Sequence, residues 1–150
     1  MKNLFLTVLL SAGIFASAFA IDESKISVTV RETFKEEFKE TQNVEWSIKP
    51  SFVKASFIYK GEAMDAFYDF NGKKIGASHH VTMLSVPLSS RKKIAAKYPE
   101  HKVTEAIEFI GQDENSYYIS LENEKETVIV KINDNSTMSL FKKSPKAKLW

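Results

Sequence analysis

Met64-Asp65-Ala66-Phe67-Tyr68-Asp69-Phe70-Asn71-Gly72-Lys73-Lys74-Ile75-Gly76-Ala77 is the stretch that decides the fold. Met64, Ala66 and Tyr68 alternate with Asp65, Phe67 and Asp69, the period of a strand. Asn71-Gly72 follows, and both residues tolerate positive φ, so the pair predicts a type I′ hairpin. Residues 73–81 then predict a returning strand with Ile75, Ala77 and His79 on one side.

Upstream, the same logic predicts two more strands. Val44-Glu45-Trp46-Ser47-Ile48 alternates apolar and polar, and Pro50-Ser51 marks a turn. Phe52 to Tyr59 alternates again, with Val53, Ala55, Phe57 and Tyr59 on one face, and Lys60-Gly61-Glu62 turns the chain back. Ahead of these strands, Val30, Phe34 and Phe38 fall at steps of four, the spacing of a helix face over residues 26–40. Ser27 or Ser24 can cap its start, and Thr41-Gln42-Asn43 ends it.

Downstream, the order begins again. Pro87 opens a helix over 88–98 whose apolar face is Leu88, Ile94, Ala95 and Tyr98, and Pro99 stops it. Strands are predicted at 103–110, 115–122, 126–132 and 136–142, with turns at Gly111-Gln112-Asp113-Glu114, Asn123-Glu124 and Asn133-Asp134-Asn135. Phe34 and Phe38 match Ile94 and Tyr98 at an offset of about 60 residues, and Phe57, Tyr59, Phe67 and Phe70 match Ile119, Leu121, Ile129 and Ile132 at a slightly larger one. The expected fold is therefore α+β, with tandem α-β-β-β-β repeats over about 26–82 and 86–142. The repeats are expected to form one antiparallel sheet with both helices on the same face.

The first 20 residues read as a secretory signal peptide. Lys2 supplies the positive end, Leu4 to Phe15 the apolar stretch, and Ala18-Phe19-Ala20 the small-residue cleavage site. No Cys follows for a lipid anchor, and no later run is long enough to insert stably in a membrane. Residues 21–142 are expected to form one domain, and 143–150 a loosely held basic tail. The chain has 150 residues, a net charge of +2 and no cysteine. Charge this balanced predicts no nucleic-acid partner. The missing cysteine excludes thiol catalysis, thiolate metal sites and disulfides, so the exported fold must be held by burial, much of it aromatic.

Catalytic and metal chemistry find little footing. His79 and His80 are adjacent on a strand and point to opposite faces, so with His101 they do not form a ligand set. Ser89, Ser90 and Ser116 lack a nucleophile motif. Glu62, Asp65 and Asp69 are better read as strand-end solvation than as an acid-base pair, and Asp69-Phe70-Asn71-Gly72 is a fragment of a calcium loop without its remaining ligands. No catalytic residue, cofactor site or metal site is assigned. Arg91-Lys92-Lys93 with Lys97 makes a basic helix segment, and Lys142, Lys143, Lys146 and Lys148 with Trp150 a basic end.

Trp46 reads first as half-buried core. Were it on an uncovered sheet face, it would anchor a partner, joined there by Phe57, Tyr59, Phe67 and Tyr68.

The leader, the helix with Phe34 and Phe38, Val44-Glu45-Trp46, the aromatic strand ending at Gly61, Tyr68-Asp69-Phe70-Asn71-Gly72-Lys73 and the helix ending Lys97-Tyr98-Pro99 form a combined pattern. It resembles the beta-lactamase-inhibitor-like, PepSY-like proteins exported by Bacteroidetes, over roughly residues 26–142. The second half departs from it: it has no counterpart of Trp46, and Asn133-Asp134-Asn135 lacks the glycine. The resemblance implies a tandem α-β-β-β-β fold in the periplasm or cell envelope and does not imply an enzyme. The expected function is an exported, non-enzymatic module that binds another exported or envelope protein. The alternative is a periplasmic sensor or carrier of a small molecule or metal ion.

Overall fold

A computed structural model describes residues 21–146 of the chain. The expected leader and residues 147–150 of the expected tail lie outside the described residues. The elements are α1 (Val28–Glu37), β1 (Gln42–Ile48), β2 (Val53–Tyr59), β3 (Glu62–Tyr68), β4 (Lys74–His80), α2 (Leu88–Lys97), β5 (Lys102–Gly111), β6 (Asn115–Glu122), β7 (Glu126–Asn133) and β8 (Met138–Pro145). A single 3-10 turn, Glu23–Lys25, precedes α1. The fold is α+β, and the eight strands are hydrogen-bonded in sequence order. The chain divides after Ala77 into two compact units.

In the first unit, the Ser27 hydroxyl accepts from the Val30 amide at 3.3 Å and caps α1. The helix is shorter than expected because Phe38 is already its C-cap, its amide donating to the Phe34 carbonyl. Ile26, Val30, Phe34 and Phe38 pack on Trp46, Val53, Ala55, Phe57, Ala66 and Tyr68. Phe34 meets the edges of Trp46 and Phe57 at centroid distances of 5.2 and 4.9 Å. Pairs of this kind add about 0.5–1.5 kcal/mol beyond the area they bury. Trp46 pairs with Ala55, which pairs with Ala66, so two small residues beside the indole make room for the rings of the helix.

The two hairpin turns exchange the roles that the sequence suggests. Lys60 and Gly61 both have positive φ (52° and 86°), and Tyr59 pairs directly with Glu62. The two-residue type I′ geometry therefore sits at Lys60-Gly61. At Asn71-Gly72, only Gly72 is left-handed (φ 86°). The Gly72 amide donates to the Asp69 carbonyl, the Asp69 amide donates to Lys73, and the Asp69 carboxylate accepts from the amides of Asn71 and Lys73. This is a wider loop stabilised by an Asx turn. The carboxylate two residues upstream overrides the local preference of Asn-Gly.

In the second unit, Val86, Ile94 and the half-buried Tyr98 pack on Ala106, Ile119, Leu121, Val128, Val130 and Ile132. The α2 N-cap is Pro87, which makes no side-chain cap bond. The Tyr98 amide donates to Ile94, as Phe38 does to Phe34. The β7–β8 turn also repeats the β3–β4 bonds: Asn133 donates to Thr137, Ser136 donates to Asn133, and Ser136 is left-handed with φ 60°. Counting back from these turns, Ile119 and Val130 occupy the places of Ala55 and Ala66, and Leu121 that of Phe57. The sequence alignment of Phe57 with Ile119 is therefore two residues out, because the ladder of the β5–β6 hairpin runs two residue pairs further before its turn, from Ala106–Ile119 to Ile110–Asn115, than that of β1–β2 does from Trp46–Ala55 to Ile48–Val53, while the two turns are of equal length. Bulk has moved from helix to strands: Ile94 stands for Phe34, fully buried Ser90 for Val30, and larger strand residues fill the space.

Strand β8 runs on to Pro145, past its expected end at 142. Lys143 meets Glu126 at 2.7 Å, Lys146 meets Glu122 at 2.9 Å, and the Lys146 amide donates to Lys125. Residues 143–146, expected to be loose, are thus held by the β7–β8 ladder, which pairs Lys143, Ser144 and Pro145 with Val128, Thr127 and Glu126, and by the added charge pairing.

Candidate functional site

Strand alternation gives each unit two faces, and the core of each unit identifies the one under its helix. Trp46 is 4% exposed and lies beneath α1 with Phe57 and Tyr68. Tyr59 is half-buried at the edge of the same core, against Phe38. Phe67 points the other way and contacts Phe52 at 5.7 Å. The five aromatic residues nominated as one exposed patch are therefore not one surface. Four belong to the α1 core and its margin, because the even-numbered positions of β1 and β3 fall in register with the odd-numbered positions of β2.

The opposite faces are not purely polar. In the first unit, Phe52 and Phe67 lie beside Lys54, Asp65 and Ser56; Lys54 and Ser56 both engage the Asp65 carboxylate. In the second unit, Phe109, Tyr118, Ile129 and the half-buried Ile107 and Phe141 lie on the face away from α2. The Tyr118 ring meets Phe141 edge-on at 5.1 Å. Lys131, paired with Tyr118 across the ladder, forms an ion pair with Glu114. Tyr118 is 1% exposed, and among the described residues its hydroxyl has no hydrogen-bond partner; the Ser116 hydroxyl is likewise buried and unpartnered among them. Burial, with the Glu114 charge adding to it, holds the Tyr118 phenol well above its ordinary pKa.

This second apolar layer was legible in one signal that alternation alone passes over. Phe52-Val53, Ala66-Phe67-Tyr68, Tyr117-Tyr118-Ile119 and Val128-Ile129-Val130 are consecutive apolar residues. Such runs imply that both strand faces are apolar.

The candidate polar residues do not converge. His79 meets Glu108 at 3.0 Å, His80 meets Glu105 at 3.5 Å, and His101 meets Glu126 at 3.4 Å beside the Tyr98 ring. Each imidazole faces a different carboxylate. Among the described residues, no group of three His, Asp or Glu side chains is placed to hold a metal ion. Tyr117 is held above its ordinary pKa by burial and by its bond to Glu108. Ser90 and Ser116 are buried, Ser89 is exposed, and Asp69 serves the turn described above. An open depression of about 380 Å³ lies beside His80, Val81, Met83, Val103, Thr104, Glu105 and Ala106, where β5 carries a bulge between Val103 and Glu105. Among the described residues, no helix is long and apolar enough to cross a membrane.

No protein-family model matches the sequence, and no curated protein matches it significantly. Solved structures do match in fold. A DUF2874 family protein from Bacteroides uniformis superposes with a TM-score of 0.69 at 15% identity, over 79% of this chain and 88% of its own. A protein from Bacteroides eggerthii, provisionally described as periplasmic, gives 0.69 at 11% identity over the same 79% and 88%. A BLIP-like protein from Bacteroides fragilis gives 0.64 at 12% identity, over 83% of this chain and 92% of its own. The fold is thus that of BLIP-like and DUF2874 proteins of Bacteroides, as the sequence resemblance implied.

Proposed function

We propose that this chain is an exported, non-enzymatic module that binds another exported or envelope protein through the strand face of its second unit that is turned away from α2. The observation that carries the reading is the second apolar layer. On the face of the second unit that α2 does not cover, Ile107 and Phe141 are only half-buried and rest on the buried Tyr118, whereas Phe52, Phe67 and Phe109 are themselves buried and offer no surface. A half-solvated antiparallel sheet ordinarily keeps its second face polar. Aromatic rings framed by paired charges are the composition of a protein-binding surface. The BLIP-like name of one structural neighbour and the periplasmic description of another are in keeping with this role and with export after cleavage following Ala20.

The test uses a photo-crosslinking residue in place of Ile107 or Phe141, both half-buried on the second face. Exposed Glu32 on α1 is the control position. A discrete crosslinked protein from positions 107 and 141, absent from position 32, is the expected result. Identical patterns from all three positions, or none from any, rule the surface out. Trp46→Ala is unsuited to this test, because removing a buried core ring destabilises the unit rather than probing a surface.

A further inference from the structure

We infer that the outer side of α2, with the loop that leads into it, is a docking surface for a phospholipid bilayer carrying anionic headgroups. This goes beyond the strand-face reading and does not depend on it. Three observations combine.

The first is charge of one sign. Helix α2 reads Leu88-Ser89-Ser90-Arg91-Lys92-Lys93-Ile94-Ala95-Ala96-Lys97 and contains no acid. Helix α1 mixes signs, and its Arg31 and Lys35 both face Glu23. Among the described residues, no carboxylate pairs with Arg91, Lys92, Lys93 or Lys97; Lys93 donates to the Ser136 carbonyl, and Lys97 lies over the Tyr98 ring.

The second is apolar exposure in the adjoining loop and the first turn of the helix. Leu84 is 80% exposed and Leu88 57% exposed, while Val86 between them is buried in the core. The loop is held in shape by bonds from Ser85 to Thr82 and from Val86 to Met83, so Leu84 is presented from an ordered turn.

The third is geometry. Ser90 and Ile94 mark the buried side of α2. At 3.6 residues per turn, Leu88, Lys92, Ala95 and Ala96 fall on the opposite side, and all four are exposed. Arg91 and Lys93 flank that strip. Exposed leucines at the start of a cationic helix are what an interfacial segment offers: the apolar side chains enter the headgroup boundary while the cations meet the phosphates. A soluble polyanion would use the cations alone and leave both leucines in water. The leucines therefore favour a bilayer.

The experiment is co-sedimentation of residues 21–150 with vesicles of equal parts phosphatidylglycerol and phosphatidylcholine, against vesicles of phosphatidylcholine alone. Binding to the anionic vesicles only is expected. Leu84→Ser with Leu88→Ser should weaken it by roughly tenfold, and Lys92→Glu by roughly fivefold or more. All three side chains are exposed, so circular dichroism of the variants should match the parent. Equal sedimentation with both vesicle types, or none with either, overturns the proposal. So does a double leucine variant that binds as tightly as the parent, which would make the surface a polyanion site.

Discussion

Gly72 and Ser136, left-handed residues at matching places in two turns, show how a single position can be tuned or left strained. Gly72 has φ 86°, and a Cβ there would sit 2.6 Å from Thr29 Cγ2 and 3.1 Å from the Thr29 backbone. Both the backbone conformation and the approach to α1 demand glycine. Ser136 occupies the same place in the second turn without that freedom, at φ 60°. Gly72→Ala is expected to cost about 1–3 kcal/mol, and Ser136→Gly to gain about 0.5–1 kcal/mol, read by urea denaturation. A loss of stability on Ser136→Gly would mean that the serine makes contacts worth more than its strain.

At the scale of elements, each helix is held by its buried face rather than by intrinsic helical preference. Phe34 touches Phe38, Trp46 and Phe57, so it joins α1 to β1 and β2. Phe34→Ala should destabilise by about 3–5 kcal/mol in thermal or chemical unfolding. A change under about 1 kcal/mol would show that the rings around Phe34 collapse into the space it leaves. The existence and order of all ten regular elements were legible in period, caps and turns, because these signals are local. Helix ends and the β8 terminus were not. Phe38 and the Lys143–Glu126 pair act through tertiary contacts that no local window contains.

The pH response belongs to the whole molecule, since it sums groups from both units. Tyr68 and Tyr118 are held protonated above their ordinary range by burial, with Glu37 and Glu114 adding to the effect. In the unfolded chain they ionise in that ordinary range. Their contribution is therefore complete below the ordinary tyrosine pKa and is lost as pH rises through and beyond it. Among the described residues, both hydroxyls are also buried and unpartnered. The combined Tyr68→Phe, Tyr118→Phe variant should flatten the alkaline decline in melting temperature; an unchanged slope would remove these phenols as its cause. Glu122 and Glu126 behave oppositely, their carboxyls lowered chiefly by hydrogen bonds from Lys146 and Lys143. Their pairing is present above the ordinary carboxylate range and is lost as pH falls through the depressed values. Amide protection factors, corrected for the intrinsic pH dependence of exchange, should fall first near the end of β8 on acidification.

By itself, the sequence determined the kind of elements, their order, the α+β class and the Bacteroides-like fold. Period and turn chemistry act over a few residues, so they survive without tertiary information. Only the tertiary structure decided which aromatic residues share a face. A shift of one residue in register exchanges the faces of a strand, and register depends on bulges and loop lengths distributed along the chain. That is why Trp46, Phe57, Tyr59, Phe67 and Tyr68 read as one patch in sequence, yet four of them serve the α1 core and its margin while Phe67 lies on the other side. It is also why the exposed leucines beside α2 gained meaning only once Ser90 and Ile94 marked the inward side of that helix.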